Sequence, residues 1–248
     1  MLFEQRIYTL ESKSADRFWE LQHERGFELV RPIMERLVGY FSTRIHDRDV
    51  IVHWWRFDSY DDWHQRLHGL YHVEGLNTYF KKVRALLLTQ ENKFLSYSPI
   101  QALNPIWSDQ SDWLPGHAPL VERSEDREIC IEMEVIQLRP GSLPAYWQAW
   151  QEEGLHASPF AKQRLIGVFY NLVGQLHEVT VLRWHGSQND ADRWRKQIEN
   201  NIQWREFLSI TNPMIYASQS HWLTPAPGTK LSPLFRSTHP LDSLRVFA

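Results

Sequence analysis

Two spacings of apolar residues organise the chain. Short apolar or alternating runs mark "EQRIYTL" (4–10), "LVGYFSTRI" (37–45), "VIVHWWRF" (50–57) and "KFLSY" (93–97) as strands. Apolar positions three and four apart mark "SYDDWHQRLHGLYH" and "LNTYFKKVRALLL" as helices. Ser14 is placed to N-cap a further helix reaching about Arg25, with Gly26 as its αL stop. The polar turn His46-Asp47-Arg48-Asp49 joins the second and third strands into a hairpin. The order is βαββαβ, the ferredoxin-like arrangement, in which helices cover one face of a four-stranded sheet. The other face is apolar and needs a partner.

The pattern is written twice. Displaced by 128 positions, the chain matches itself without a gap. Trp19 meets Trp147, Gly26 meets Gly154, and Arg36, Leu37, Gly39 and Phe41 meet Arg164, Leu165, Gly167 and Phe169. Ser59 and Asp62 meet Ser187 and Asp190. The second copy repeats the punctuation, with Ser142 as cap, Pro144 in the first turn and Gly154 at the end. Between the copies lies "NPIWSDQSDWLPGHAPLVERSED", a polar, proline-containing linker expected to run over the surface through Trp107 and Trp113. After Trp222 comes a tail rich in proline and serine, expected to be irregular until "LRVF" docks. The expected organisation is a first repeat over 1–100, a linker over 101–127, a second repeat over 128–225 and a tail over 226–248. The fold class is α+β, with the sheets of two ferredoxin-like repeats packing face to face as an α/β-barrel pseudo-dimer.

Composition narrows the function classes. The 248 residues carry a net charge of −3, and no basic tract supports nucleic-acid binding. No apolar run is long enough to span a bilayer, and the N-terminus reads as a strand rather than a leader. Cys130 is the single cysteine, expected to be an inert core thiol in a reducing compartment, so the expected location is cytoplasmic. The 12 tryptophans are the unusual feature, and they suit either an aromatic core or a pocket.

The quoted strands resemble the NIPSNAP family of the dimeric α/β-barrel superfamily. The family pattern Glu-x-Arg-x-Tyr-x-Leu falls on Glu4, Arg6, Tyr8 and Leu10. His-x-Trp-Arg-Tyr/Phe-x-Ser falls on His53, Trp55, Arg56, Phe57 and Ser59. The resemblance covers both copies but not the linker or tail. It implies a barrel fold, dimeric packing and a pocket, and cofactor-free oxygenases occur in the wider superfamily. The second copy departs from the pattern: Arg6, Tyr8, His53 and Trp55 become Glu134, Ile136, Val181 and Arg183. Scaffold positions persist while the polar motif does not, which points to a role for the motif beyond folding.

In a βαββαβ sheet the first and third strands are neighbours, so Arg6 and Tyr8 can face His53 and Trp55. Tyr40 lies on the strand between the first helix and the hairpin. The functional assignment is a proton shuttle at His53, a hydrogen-bond donor at Tyr8, an anion holder at Arg6 and ligand walls at Trp55 and Tyr40. The ligand is a small flat or aromatic, possibly acidic, molecule, and the reaction class is oxygenase- or isomerase-like without a cofactor. The competing interpretation is a core whose histidine and arginine are satisfied internally, in a non-catalytic interaction or scaffold protein. A homodimer stays open.

His64, His68 and His72 recur four apart on a helix, a spacing that can bind metal but that more often marks a solvated face. The second copy has Asp192, Lys196 and Asn200 there. Haem ligation by a histidine, known in the wider superfamily, is a third and weaker alternative. No metal site and no cofactor are assigned. There is no GxSxG, Walker or GxGxxG motif.

Overall fold

A computed structural model describes residues 1–122, 129–156, 162 and 164–235. These form two compact units, one of residues 1–94, 114–122 and 224–235, the other of residues 95–113, 129–156, 162 and 164–223.

The first unit contains strands β1 (Leu2–Leu10), β2 (Leu37–Ile45), β3 (Arg48–Phe57) and the first part of β4 (Leu87–Tyr97). Their order is β4-β1-β3-β2, so the first and third strands are indeed adjacent. Helices α1 (Ala15–Arg25), α2 (Arg31–Met34), α3 (Tyr60–Tyr71) and α4 (Leu76–Arg84) share a core with the side chains of Leu2, Tyr8, Leu10, Tyr40, Ile51, Trp55 and Phe57. The opposite side chains Phe3, Val52 and Trp54 are buried as well. β4 begins six residues before the strand expected at "KFLSY", because the Leu86-Leu87-Leu88 run leaves the helix after Arg84.

The second unit opens with the end of β4, where the Ser98 N–H donates to the Val168 carbonyl. A small ribbon follows, β5 (Trp107–Ser108) with β6 (Ser111–Asp112). Strands β7 (Cys130–Leu138), β8 (Leu165–Val173), β9 (Glu178–His185) and most of β10 (Ile215–Pro225) then run in the order β10-β7-β9-β8. Helices α5 (Leu143–Ala149), α6 (Gln188–Glu199) and α7 (Ile202–Thr211) pack on them. The last residues of β10, Thr224 and Pro225, belong to the first unit and pair with Ser42 and Phe41 of β2.

The self-matching positions turn out to be scaffold devices. Ser59 caps α3 by accepting from the Asp62 N–H at 3.2 Å, and Ser187 caps α6 by accepting from the Asp190 N–H at 3.1 Å. Each aspartate answers by accepting a backbone N–H at 3.0 Å, from Asp58 and from Gly186, which completes a reciprocal cap. Arg36 and Arg164 pair with those same aspartates. A Cβ on Gly39 or Gly167 would lie 2.8 or 2.7 Å from the ring of Phe41 or Phe169, so each glycine makes room for the aromatic two residues on.

Four local expectations are corrected. Ser14 precedes α1, but its side chain caps nothing; Asp49 Oδ2 accepts from the Ser14 and Ala15 N–H groups at 2.8 and 3.0 Å. Gly26 has φ 76° with ψ 178°, a glycine conformation but not the αL stop. The hairpin turn is only His46-Asp47, because Arg48 already pairs with Ile45 and Asp49 with Arg44. Ser142 precedes α5, but its side chain also caps nothing. In the linker Trp107 and Trp113 are buried anchors, and the Trp107 Nε1–H donates to the Trp113 carbonyl at 3.0 Å.

Asn104 of the linker is also buried. Its Oδ1 accepts the Val168 N–H at 3.1 Å. The start of the tail is tied to β2: the Tyr40 N–H donates to the Leu231 carbonyl, and the Ala226 N–H donates to the Tyr40 carbonyl, both at 2.8 Å. Leu231, Leu234 and Phe235 are buried, whereas the "LRVF" segment lies outside the described residues. Cys130 is half-buried, with its thiol pushed up to about 11 by burial and by Asp190. Among the described residues no helix is long and apolar enough to cross a membrane.

Candidate functional site

The first unit holds a partly open cavity of about 110 Å³ between its sheet and its helices. An engineered void of about 150 Å³ takes one benzene ring, so this smaller space limits any occupant to about one ring. Arg6, Tyr8, Tyr40, His53 and Trp55, the five residues singled out in the sequence, all line it. The register explains why. His53 lies opposite Arg6 on β1 and opposite Tyr40 on β2, so three strands deliver three side chains in one row. Tyr8 and Trp55 are two residues further along the same face.

His53 is 3% exposed and held between two phenols. Its ring centre is 4.2 Å from that of Tyr40 and 4.4 Å from that of Tyr8. Neither ring nitrogen has a hydrogen-bond partner in the protein. Burial, then the positive charges of Arg6 and Arg25, hold its pKa well below the ordinary 6.5. At neutral pH the imidazole is therefore uncharged, with one nitrogen free to accept and the other to donate. The buried Trp55 Nε1–H also lacks a partner. The same wall thus carries two indole or imidazole groups without partners, in a place where buried polar atoms are normally satisfied.

The phenols differ. Tyr8 accepts a hydrogen bond from Gln90 Nε2 at 2.9 Å, and burial raises its pKa although Arg6 opposes the shift. Burial raises the pKa of Tyr40 as well, so both stay protonated near neutral pH. Arg6 is not free to hold a ligand anion by its full fork. Its Nε and one Nη donate to the two carboxylate oxygens of Glu4, each at 2.8 Å, while its guanidinium sits 5.4 Å from the Trp55 ring centre. Burial lowers its pKa, but Glu4 more than reverses this.

Other lining residues were not singled out in the sequence. Phe18 and Arg25 come from α1, Tyr79, Phe80 and Arg84 from α4, and Gln90 from β4. One signal was readable: Phe18, Gln22 and Arg25 lie four and three apart, on one face of α1. Another was the second copy, which has Glu153 where Arg25 stands.

The second unit fills the equivalent space. Ile136, Val168 and Val181 replace Tyr8, Tyr40 and His53 and join one apolar core with Trp150, Trp204 and Phe207. Gln22 and Tyr79, hydrogen-bonded at 2.9 Å in the first unit, are replaced by Trp150 and Phe207, with ring centres 4.5 Å apart. Arg183 takes the place of Trp55 and pairs with Glu134 at 2.9 Å.

His64 and His68 on α3 and His72 just past its end are exposed. The rings of His64 and His68 lie 4.1 Å apart, and His72 Nδ1 is 2.9 Å from the His68 carbonyl oxygen. Among the described residues no group of three or more histidine, cysteine, aspartate or glutamate side chains is placed to hold a metal ion.

The chain is therefore an α+β protein of two tandem repeats, with a polar aromatic cavity in the first. It belongs to the NIPSNAP family, whose model matches residues 3–101 and 131–230. No curated protein matches the sequence. A NIPSNAP-like domain protein from Burkholderia xenovorans is 25% identical and covers 41% of this chain and 88% of its own, with a TM-score of 0.39. A candidate monooxygenase from Lactobacillus acidophilus NCFM is 8% identical, with coverages of 90% and 93% and a TM-score of 0.56. An anthrone oxidase-like protein is 11% identical, with coverages of 91% and 91% and a TM-score of 0.52. The last two likenesses show the fold alone.

Proposed function

We propose that the first repeat binds a small flat aromatic molecule and that His53 takes up a proton from it, as the base of an enzyme that needs no cofactor. The observation that carries this reading is the buried, uncharged His53 with both ring nitrogens unpartnered at the wall of a cavity. A structural histidine is normally hydrogen-bonded, and leaving one unsatisfied costs about 1–3 kcal/mol. A ligand hydroxyl, or a C–H made acidic by a neighbouring carbonyl, would supply the missing partner.

The assignment gives each side chain a step. His53 accepts the proton. Tyr8, positioned by Gln90, donates a hydrogen bond to a ligand oxygen. Tyr40 and Trp55 form the walls, and the Trp55 indole N–H offers a second donor. Arg6, already paired with Glu4, keeps Trp55 in place and adds positive potential. Monooxygenase and anthrone oxidase appear only in the names of structural neighbours, and here they enter as analogy of fold only. The test is a ligand-observed NMR screen of small flat aromatic compounds against the wild type and His53→Phe. The reading expects compounds that bind the wild type and are lost in the variant. Binding that ignores the substitution would remove His53 from the site.

A further inference from the structure

Among the described residues the cavity is lined by three arginines, Arg6, Arg25 and Arg84, and by no aspartate or glutamate. Arg6 is held by Glu4 from behind. Arg84 is exposed and stacks over Phe80 at 5.4 Å. Arg25 is different from both. It is half-buried, and its partners are the Gly26 carbonyl at 3.1 Å, the Tyr79 hydroxyl at 3.3 Å and Met34 Sδ at 3.9 Å. Its guanidinium stacks on Tyr79 at 5.0 Å. Every other buried or half-buried arginine described in this unit has a carboxylate: Arg6 has Glu4, Arg17 has Glu20 and Glu24, Arg36 has Asp58 and Asp62, Arg56 has Asp58, and Arg66 has Asp62. A guanidinium taken partly out of water without a counterion is costly, and it retains N–H donors that no protein group uses.

The three cations are also peculiar to the first repeat. Arg6, Arg25 and Arg84 correspond to Glu134, Glu153 and Asn212, so the second repeat replaces two of them by acids and one by a neutral residue. Positive charge was not needed to build the scaffold.

We propose that Arg25 is the anion seat of the cavity, so that its ligand is an aromatic monocarboxylate with the acid on Arg25 and the ring against Tyr8, Tyr40 and Trp55. This rests on the reading of the cavity as a binding site. The planar fork of donors fits a carboxylate side-on. At about 110 Å³ the cavity is smaller than the void of about 150 Å³ that takes one benzene ring, so it limits the ligand to a single ring at most. The inference moves the anion-holding role from Arg6, whose fork is occupied, to a residue in the last turn of α1.

Isothermal titration with benzoate and benzamide tests it, since the two probes share shape and differ in charge. The wild type should prefer benzoate by roughly tenfold or more, the worth of one charged hydrogen-bond pair. Arg25→Gln should abolish the preference for benzoate over benzamide. Arg84→Gln should change the ratio less than Arg25→Gln does. Should Arg25→Gln fail to fold, Arg25→Lys keeps the charge but not the fork and should show an intermediate ratio. Equal affinities in the wild type, or a preference that survives Arg25→Gln, would overturn the proposal. If benzamide binds and is lost in His53→Phe while benzoate binds no better, the cavity reading stands and the anion seat falls. If neither probe binds the wild type, both fall.

Discussion

His53 stands directly opposite Arg6 across the β1–β3 ladder, yet the two do not bond: Arg6 turns its fork to Glu4, and His53 keeps both nitrogens bare. A histidine held in this way contributes little to stability beyond its packing. His53→Phe keeps ring volume and removes two unsatisfied polar atoms. Its unfolding free energy in urea should stay within about 1 kcal/mol of the wild type, or rise. A loss of about 3 kcal/mol would mean that the histidine is a bonded member of the core.

The same residue sets a pH dependence. The folded pKa of His53 lies well below 6.5, so between those two values the unfolded chain binds the extra proton. Stability is therefore fully present above about pH 6.5 and declines as pH falls below it. Melting temperature measured from pH 8 down to pH 5 should drop more steeply for the wild type than for His53→Phe. His23, also lowered by partial burial and by Arg25, is present in both proteins and cancels in the comparison. Parallel curves would place the His53 pKa near its ordinary value.

Glu4 and Arg6 form a pair with side chains 1% and 11% exposed. Asn92 Nδ2 adds a third hydrogen bond to the carboxylate at 3.2 Å. Glu4→Gln strands a buried guanidinium and should cost about 3 kcal/mol or more in denaturant unfolding. A cost below about 1 kcal/mol would show that water already shares the pair.

The N-terminus of α1 is capped from a distance. Asp49→Ala should cost about 1 kcal/mol, whereas Ser14→Ala should cost only a few tenths. The reverse order in thermal or chemical melts would return the cap to Ser14.

The duplicated βαββαβ pattern was legible because its signals are local: paired glycines, matching residues at a constant displacement and short apolar runs at fixed spacing. Ser59 with Asp62, and Ser187 with Asp190, matched in the sequence only as repeated positions, and the structure shows that each pair caps a helix. Asp49 was not legible as a cap, because it reaches α1 from 34 residues away. The strand half of the cavity was legible, since Arg6, Tyr8, His53 and Trp55 follow from a period of two and a known neighbour order. The helical half was not. Arg25 reads from its own sequence as an ordinary basic residue in a last helical turn, and only the packing of α1 beside α4 brings it onto Tyr79. That Arg6 would be occupied by Glu4 was equally hidden, because residues two apart on a strand share a face without necessarily bonding.

The measurement that tests the central claim most directly is side-chain nitrogen NMR of His53 at pH 7, before and after saturation with benzamide. The account expects an uncharged ring whose nitrogen resonances move when the probe fills the cavity. A charged ring, or one that stays still while other resonances of the first repeat move, would contradict the assignment of His53 as the group that receives the ligand.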